Sequence, residues 1–156
     1  MAAGVMWVLA ASRPAAAAPI VGVASVVDAD TIESHGVRIR LYGIDAPESR
    51  QLCTRPNGER WRCGQRASLA LSDRIGRSTV SCDPRDTNRY GRTIAAYCCR
   101  GVDLNGWLVT QGWAVAYRHY SSDYVRAEHQ ARLAGRGVWS GQFDMPWEWR
   151  AERSDQ

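Results

Sequence analysis

Carboxylates and guanidiniums crowd together in three short, turn-rich stretches of this chain. Asp28-Ala29-Asp30-Thr31 comes first, then Arg40-Leu41-Tyr42-Gly43-Ile44-Asp45-Ala46-Pro47-Glu48, then Arg89-Tyr90-Gly91-Arg92. Burying such charges unpaired would cost several kcal/mol or more, so these stretches are poor core material. They suit a site that holds a divalent cation and a phosphodiester at once. Asp30, Asp45 and the backbone carbonyl of Ala46 are hard oxygen donors of the kind calcium takes. Arginine forks match phosphate oxygens through paired hydrogen bonds. The chemistry these residues point to is metal-assisted phosphoryl chemistry.

Positioning them requires strands that end in tight turns. Ile20–Val27 is valine-rich and reads as a strand running into the Asp28-Ala29-Asp30 turn. Residues 31–33 and Val37–Tyr42 read as a hairpin closed at Ser34-His35-Gly36. Arg38 and Arg40 then share one strand face, with Val37, Ile39 and Leu41 on the other, so Arg40 points away from the packed side. Pro47 ends the strand and projects Glu48 from a rigid turn. Helices are expected over Gly64–Ile75, where Ala67, Leu71 and Ile75 recur every fourth residue before Gly76, over a short segment capped by Asp103, and over about Asp123–Leu133. Ser78–Asp83 and Thr93–Arg100 read as strands around a polar excursion. Periodicity alone makes this an α+β chain.

At 156 residues the chain is long enough for one domain with a substantial core. Its net charge of +4 and pI near 9.0 favour a polyanionic partner, and all twenty of its basic residues are arginine. Met1–Ala18 is apolar and alanine-rich, and reads as a secretory signal or a disordered leader too short to span a bilayer. The domain then runs over 19–150, with 151–156 as a tail. Export makes disulfides the default for the cysteines. Cys53 and Cys63 bracket a short polar loop and should pair. Cys98 and Cys99 point to opposite faces of one strand, so only one of them, Cys98 or Cys99, can face Cys82. A plain hairpin between the two strands as read would set Cys82 opposite residues nearer Arg92, so that bridge calls for an asymmetric loop. The C-terminal Trp139, Trp147 and Trp149 around Pro146 read as packing the chain end onto the domain, with base stacking as the alternative.

These motifs, in this order, resemble the staphylococcal nuclease (thermonuclease) family. The matching pieces are Val27–Ile32, Val37–Glu48, Arg89–Arg92, Asp103–Tyr117 and Ala127–Trp139, together most of residues 20–140. The resemblance implies a five-stranded OB-fold β-barrel with about three helices. It implies Ca2+ held by Asp30, Asp45 and the Ala46 carbonyl, with Asp28 behind these ligands. Glu48 matches the general base, Arg40 and Arg92 the pair that grips the phosphate, and Tyr90 and Tyr117 the nucleotide-contacting tyrosines. The implied activity is sugar-non-specific cleavage of DNA and RNA to 3′-phosphate ends, by a secreted or periplasmic monomer with no stable membrane association. A non-catalytic OB domain that binds nucleic acid or a partner is the alternative. The chain departs from the family pattern at Ala29, where glycine is usual. If that turn needs a left-handed residue, alanine would strain it; an extended backbone there is the favoured expectation.

Overall fold

The computed structural model describes residues 17–99 and 101–154, so the first sixteen residues of the leader segment lie outside it. Two nearly continuous strands, β1 (Ile20–Val23) and β2 (Ser25–Asp28), are broken only at Ala24. They are followed by β3 (Thr31–Ser34), β4 (Val37–Leu41) and the short β5 (Ile44–Asp45). A small hairpin, β6 (Cys53–Thr54) and β7 (Arg60–Trp61), leads into helix α1 (Cys63–Ile75). Then come β8 (Thr79–Thr87), β9 (Thr93–Cys99), α2 (Leu104–Thr110), β10 (Val115–Ala116), α3 (Val125–Leu133), a 3₁₀ turn (Gly137–Ser140) and α4 (Pro146–Ser154).

The main sheet has the order β1-β8-β9-β4-β3-β2. Its two edges are consecutive pieces of one chain segment, so the sheet curls until β1 also approaches β3, a nearly closed barrel of five long strands. That is the expected OB architecture, with four α-helices among the described residues where about three were expected. Ile32, Ile39, Leu41, Ile44, Leu71, Ile75, Val80 and Leu108 fill the barrel and the face under α1 and α2. The four-residue spacing in α1 is the reason its Ala67, Leu71 and Ile75 are buried together. Asp103 caps α2 by accepting the Asn105 N–H at 3.0 Å.

Both expected bridges form, Cys53–Cys63 and Cys82–Cys98. The first lies in a satellite core with Trp61, Val138, Trp139 and Phe143. The second corrects the reading of the hairpin. β8 does not stop at Asp83 but continues through two bulges to Thr87, which pairs with Thr93, so the tip shrinks and Cys82 sits directly opposite Cys98. No loop asymmetry is needed, because the two bulges offset one another. Polar Asp83, Arg85 and Asp86 disguised the second half of β8; they are exposed there, as an outward strand face permits.

Three registers position the candidate site residues. Antiparallel β3–β4 pairing sets Thr31 opposite Arg40. The Leu41 N–H bonds the Asp30 carbonyl at 2.9 Å, which brings the Asp30 turn beside Arg40. Parallel β4–β9 pairing sets Ile39 opposite Thr93, delivering Arg92 to the same end of the barrel. Finally β10 pairs with β5, placing Val115 opposite Asp45, and the Tyr117 N–H continues that ladder to the Gly43 carbonyl at 2.9 Å.

Candidate active site

A cavity of about 780 Å³ opens at this end of the barrel, and Asp28, Asp30, Arg40, Glu48, Tyr90, Arg92 and Tyr117 all line it. Asp45 and Ala46 lie beneath them, both buried. Of the residues singled out from sequence, Asp30, Arg40 and Asp45 make direct contact. Arg40 donates to Asp30 Oδ1 at 3.2 Å and to Asp45 Oδ1 at 3.1 Å, and its second terminal nitrogen is also 3.1 Å from Asp30 Oδ2. Arg40 therefore spans the two aspartates rather than facing Glu48. Asp30 also accepts the Ala46 N–H at 3.2 Å and the Thr31 hydroxyl at 3.0 Å. Burial outweighs the neighbouring Arg40 and lifts the Asp30 carboxyl to about 6.

Glu48 stands at the rim, one-third exposed. Its backbone N–H donates to the Gln51 side-chain oxygen at 3.2 Å, and the Gln51 N–H returns to the Glu48 carbonyl at 2.7 Å, closing the turn that Pro47 begins. Helix α1 packs on that turn so closely that only glycine fits at position 64. A Cβ there would stand 1.7 Å from the Glu48 carbonyl oxygen. Asp28 accepts the Ser49 hydroxyl at 2.5 Å, tying the first aspartate turn to the segment after Glu48. Ala29 is buried without a left-handed backbone, so alanine sits in that turn unstrained, as favoured above.

Opposite these groups, the Asn88 side chain accepts the N–H groups of Tyr90 and Arg92 at 3.0 Å each and shapes the β8–β9 tip. The Arg92 guanidinium lies 5.5 Å from the centre of the exposed Tyr90 ring. It makes no ion pair among the described residues, and its Nε is buried without a hydrogen-bond partner. A buried donor left without a partner is uncommon, and it belongs here to a residue that lines the cavity. Tyr117 joins an aromatic group with Tyr120 and Trp147, at ring distances of 5.2 and 5.4 Å.

One residue absent from the sequence reading enters the site. Arg150, on α4, donates to Asp45 Oδ1 at 3.0 Å, to Asp45 Oδ2 at 2.7 Å and to Glu48 Oε1 at 2.8 Å. Its only signal in the sequence was three-residue spacing from Trp147, which puts both on one face if that segment is helical. The reading of the tryptophans as packing holds for Trp139, whose ring meets Phe143 at 4.9 Å, and for Trp147, which packs against Tyr117 beside the cavity.

A nearly closed five-stranded barrel with oxygen donors, arginine forks and aromatic rings at one end is the architecture of an OB-type nuclease. The chain belongs to the staphylococcal nuclease family, whose description, "Staphylococcal nuclease homologue", matches residues 38–141. It is 39% identical to the succinoglycan biosynthesis protein ExoI of Rhizobium meliloti, over 81% of this chain and 68% of that one. It is 34% identical to Protein ParB of Escherichia coli, over 99% and 92%. It is 32% identical to a micrococcal nuclease of Shigella flexneri, over 82% and 78%. Family membership makes it a nuclease of the hydrolytic kind. Among the described residues no helix is long and apolar enough to cross a membrane.

Proposed function

We propose that this protein is a calcium-dependent, sugar-non-specific nuclease that hydrolyses DNA and RNA phosphodiesters to leave 3′-phosphate ends. The observation that carries the reading is the convergence of Asp30, Glu48, Arg40 and Arg92 on one cavity, with Asp45 buried beneath it against Arg40.

The donor chemistry fits a hard cation. Asp30, Asp45 and the Ala46 carbonyl would hold it, and they offer oxygen only. Hard cations take oxygen donors of this kind and would accept water and a phosphate oxygen beside them. When bound there, the cation would polarise the phosphoryl oxygen and offset its charge.

The chain's own residues do the rest. Glu48 accepts a proton from the attacking water, and its rim position lets that water reach phosphorus from solvent. Arg92 receives a non-bridging phosphate oxygen with the N–H groups it leaves unpaired. Arg40, about a quarter exposed, donates to the charge that builds on the equatorial oxygens of the five-coordinate state. The P–O5′ bond breaks, the 5′-oxygen takes a proton, and the phosphate stays on the 3′ side. Tyr117 and Tyr90 contact the nucleotide, and stacking on their faces serves ribose and deoxyribose substrates alike.

One chain supplies every group named, so a monomer suffices. Two disulfides support action in an oxidising compartment, outside the cell or in the periplasm. The deciding experiment is cleavage of labelled single- and double-stranded DNA and of RNA with calcium, with magnesium and with chelator, followed by end-group analysis. Calcium-dependent release of 3′-phosphate products from both nucleic acids is expected. Binding without cleavage would instead establish the non-catalytic alternative.

A further inference from the structure

Helix α4 is tied to the catalytic turn by more contacts than the closing of a chain end requires. Gln51, fully buried, accepts the Glu48 N–H with its side-chain oxygen and donates its side-chain nitrogen to the Asp144 carbonyl at 2.7 Å, just before α4 begins. Upstream, Thr54 and Gln142 exchange two backbone bonds of 2.8 Å, and Pro146 is buried. At the start of the helix Trp147 packs against Tyr117, and one turn further on Arg150 reaches Asp45 and Glu48.

The reach of Arg150 has an electrostatic consequence. Asp30, Asp45 and Glu48 carry three negative charges, and Arg40 offsets one. With Arg150 added, the cluster stands one negative charge from neutrality rather than two. Loaded with a divalent cation, it becomes net positive by one instead of neutral, which suits a singly charged phosphodiester. The same added charge opposes the cation, because the fork lies on both oxygens of Asp45. Hydrogen bonds from Arg150 to Asp45, and then to Glu48, raise the guanidinium's already high affinity for its proton, so its charge is constant.

Resting on the reading of Asp45 as a cation ligand and Glu48 as the base, we infer that Arg150 is a positioning residue of the active site: its fork sets the spacing of Asp45 and Glu48 and moderates cation binding. A planar fork that bridges two carboxylates does what a lysine point charge cannot. Charge and geometry can therefore be separated by substitution.

Calcium is titrated calorimetrically into chelator-stripped wild type, Arg150→Ala and Arg150→Lys without substrate, and turnover is measured at saturating calcium. Near-ultraviolet circular dichroism checks that each is folded. Arg150→Ala should bind calcium about tenfold or more tightly yet turn over at least about tenfold more slowly. Arg150→Lys should bind calcium as wild type does and remain slow. Unchanged calcium affinity in Arg150→Ala, unchanged turnover in that variant, or full recovery of rate in Arg150→Lys would each overturn the inference. Absence of calcium binding to the wild type would instead remove the cation-site reading beneath it.

Discussion

The close approach of helix α1 to the turn that carries Glu48, the proposed base, makes Gly64 a lever on Glu48 from outside the cavity. A methyl group at position 64 would sit 1.7 Å from the Glu48 carbonyl oxygen, 2.5 Å from its carbon and 3.0 Å from the Pro47 carbonyl oxygen. Carbon–oxygen contacts settle at about 3.3 Å or more, so relief requires a movement of about 1.5 Å between two backbones. Neither is a flexible side chain. α1 is held by Ala67, Leu71 and Ile75 in the main core and by the Cys53–Cys63 bridge at its first residue, so the Glu48 turn is the part that yields. Overpacking of this kind costs about 1–3 kcal/mol, partly offset by up to about 1 kcal/mol of helix propensity gained over glycine. Displacement of the base by more than 1 Å should cost about 100-fold in turnover. Gly64→Ala should therefore stay folded, melt a few degrees lower and lose about two orders of magnitude in kcat on DNA. Gly58→Ala is the control: its φ of 83° makes alanine strained, but nothing lies within 4 Å of the added methyl. It should cost about 1–2 kcal/mol and leave kcat alone. Near-wild-type turnover in Gly64→Ala would refute the reasoning, because either Glu48 then does not need its position or the helix is free to move.

Three other outcomes follow from the site. Glu48→Gln should retain the fold, since Glu48 is one-third exposed, and lose at least about 100-fold in kcat. Arg40→Ala should lose a similar factor and also about 3 kcal/mol of stability, because Asp30 would be left buried without a cationic partner; urea titration separates the two effects. In cation-free protein the raised Asp30 carboxyl binds a proton more tightly folded than unfolded. Its contribution to stability is therefore full below about 3.8 and lost as pH rises through about 6, a change on the order of 3 kcal/mol between wild type and Asp30→Asn in paired melts at pH 3.5 and 7. A flat difference across that range would show Asp30 to be unperturbed. Reduction should lower stability by about 3 kcal/mol per bridge, and mass mapping of unreduced peptides should link Cys53 to Cys63 and Cys82 to Cys98.

Elements whose signal is local were legible in the sequence. The four-residue stripe of α1, the Asp103 cap and the His35-Gly36 hairpin each follow from a few adjacent residues, and each is present. The order of motifs carried the barrel itself, which periodicity alone could not. β8 was read short because Asp83, Arg85 and Asp86 look like a loop, whereas a strand at the barrel surface tolerates polar residues on its outer face and Pro84 at a bulge. The helix beyond Trp139 was missed for a related reason. Pro146-Trp147-Glu148-Trp149-Arg150 carries too few apolar residues to announce a buried stripe, and α4 indeed buries only Pro146 fully.

The same local logic explains why Arg150 could not be found by motif. Asp45 and Arg40 are five residues apart, and their meeting follows from a strand and a turn; Asp45 and Arg150 are 105 residues apart, and nothing between them encodes the contact. It exists because Gln51 grips the chain before α4 while also holding the Glu48 N–H, so one buried amide sets both the Glu48 turn and the approach of the helix. In the sequence Gln51 is one polar loop residue among many; burying its amide group is tolerable only because both of its ends find partners. Sequence shows which residues can do chemistry, and it shows their neighbours along the chain. Which distant charge completes the set depends on packing, and here that packing adds Arg150 to a cavity whose sequence motifs already supply Arg40, Arg89 and Arg92.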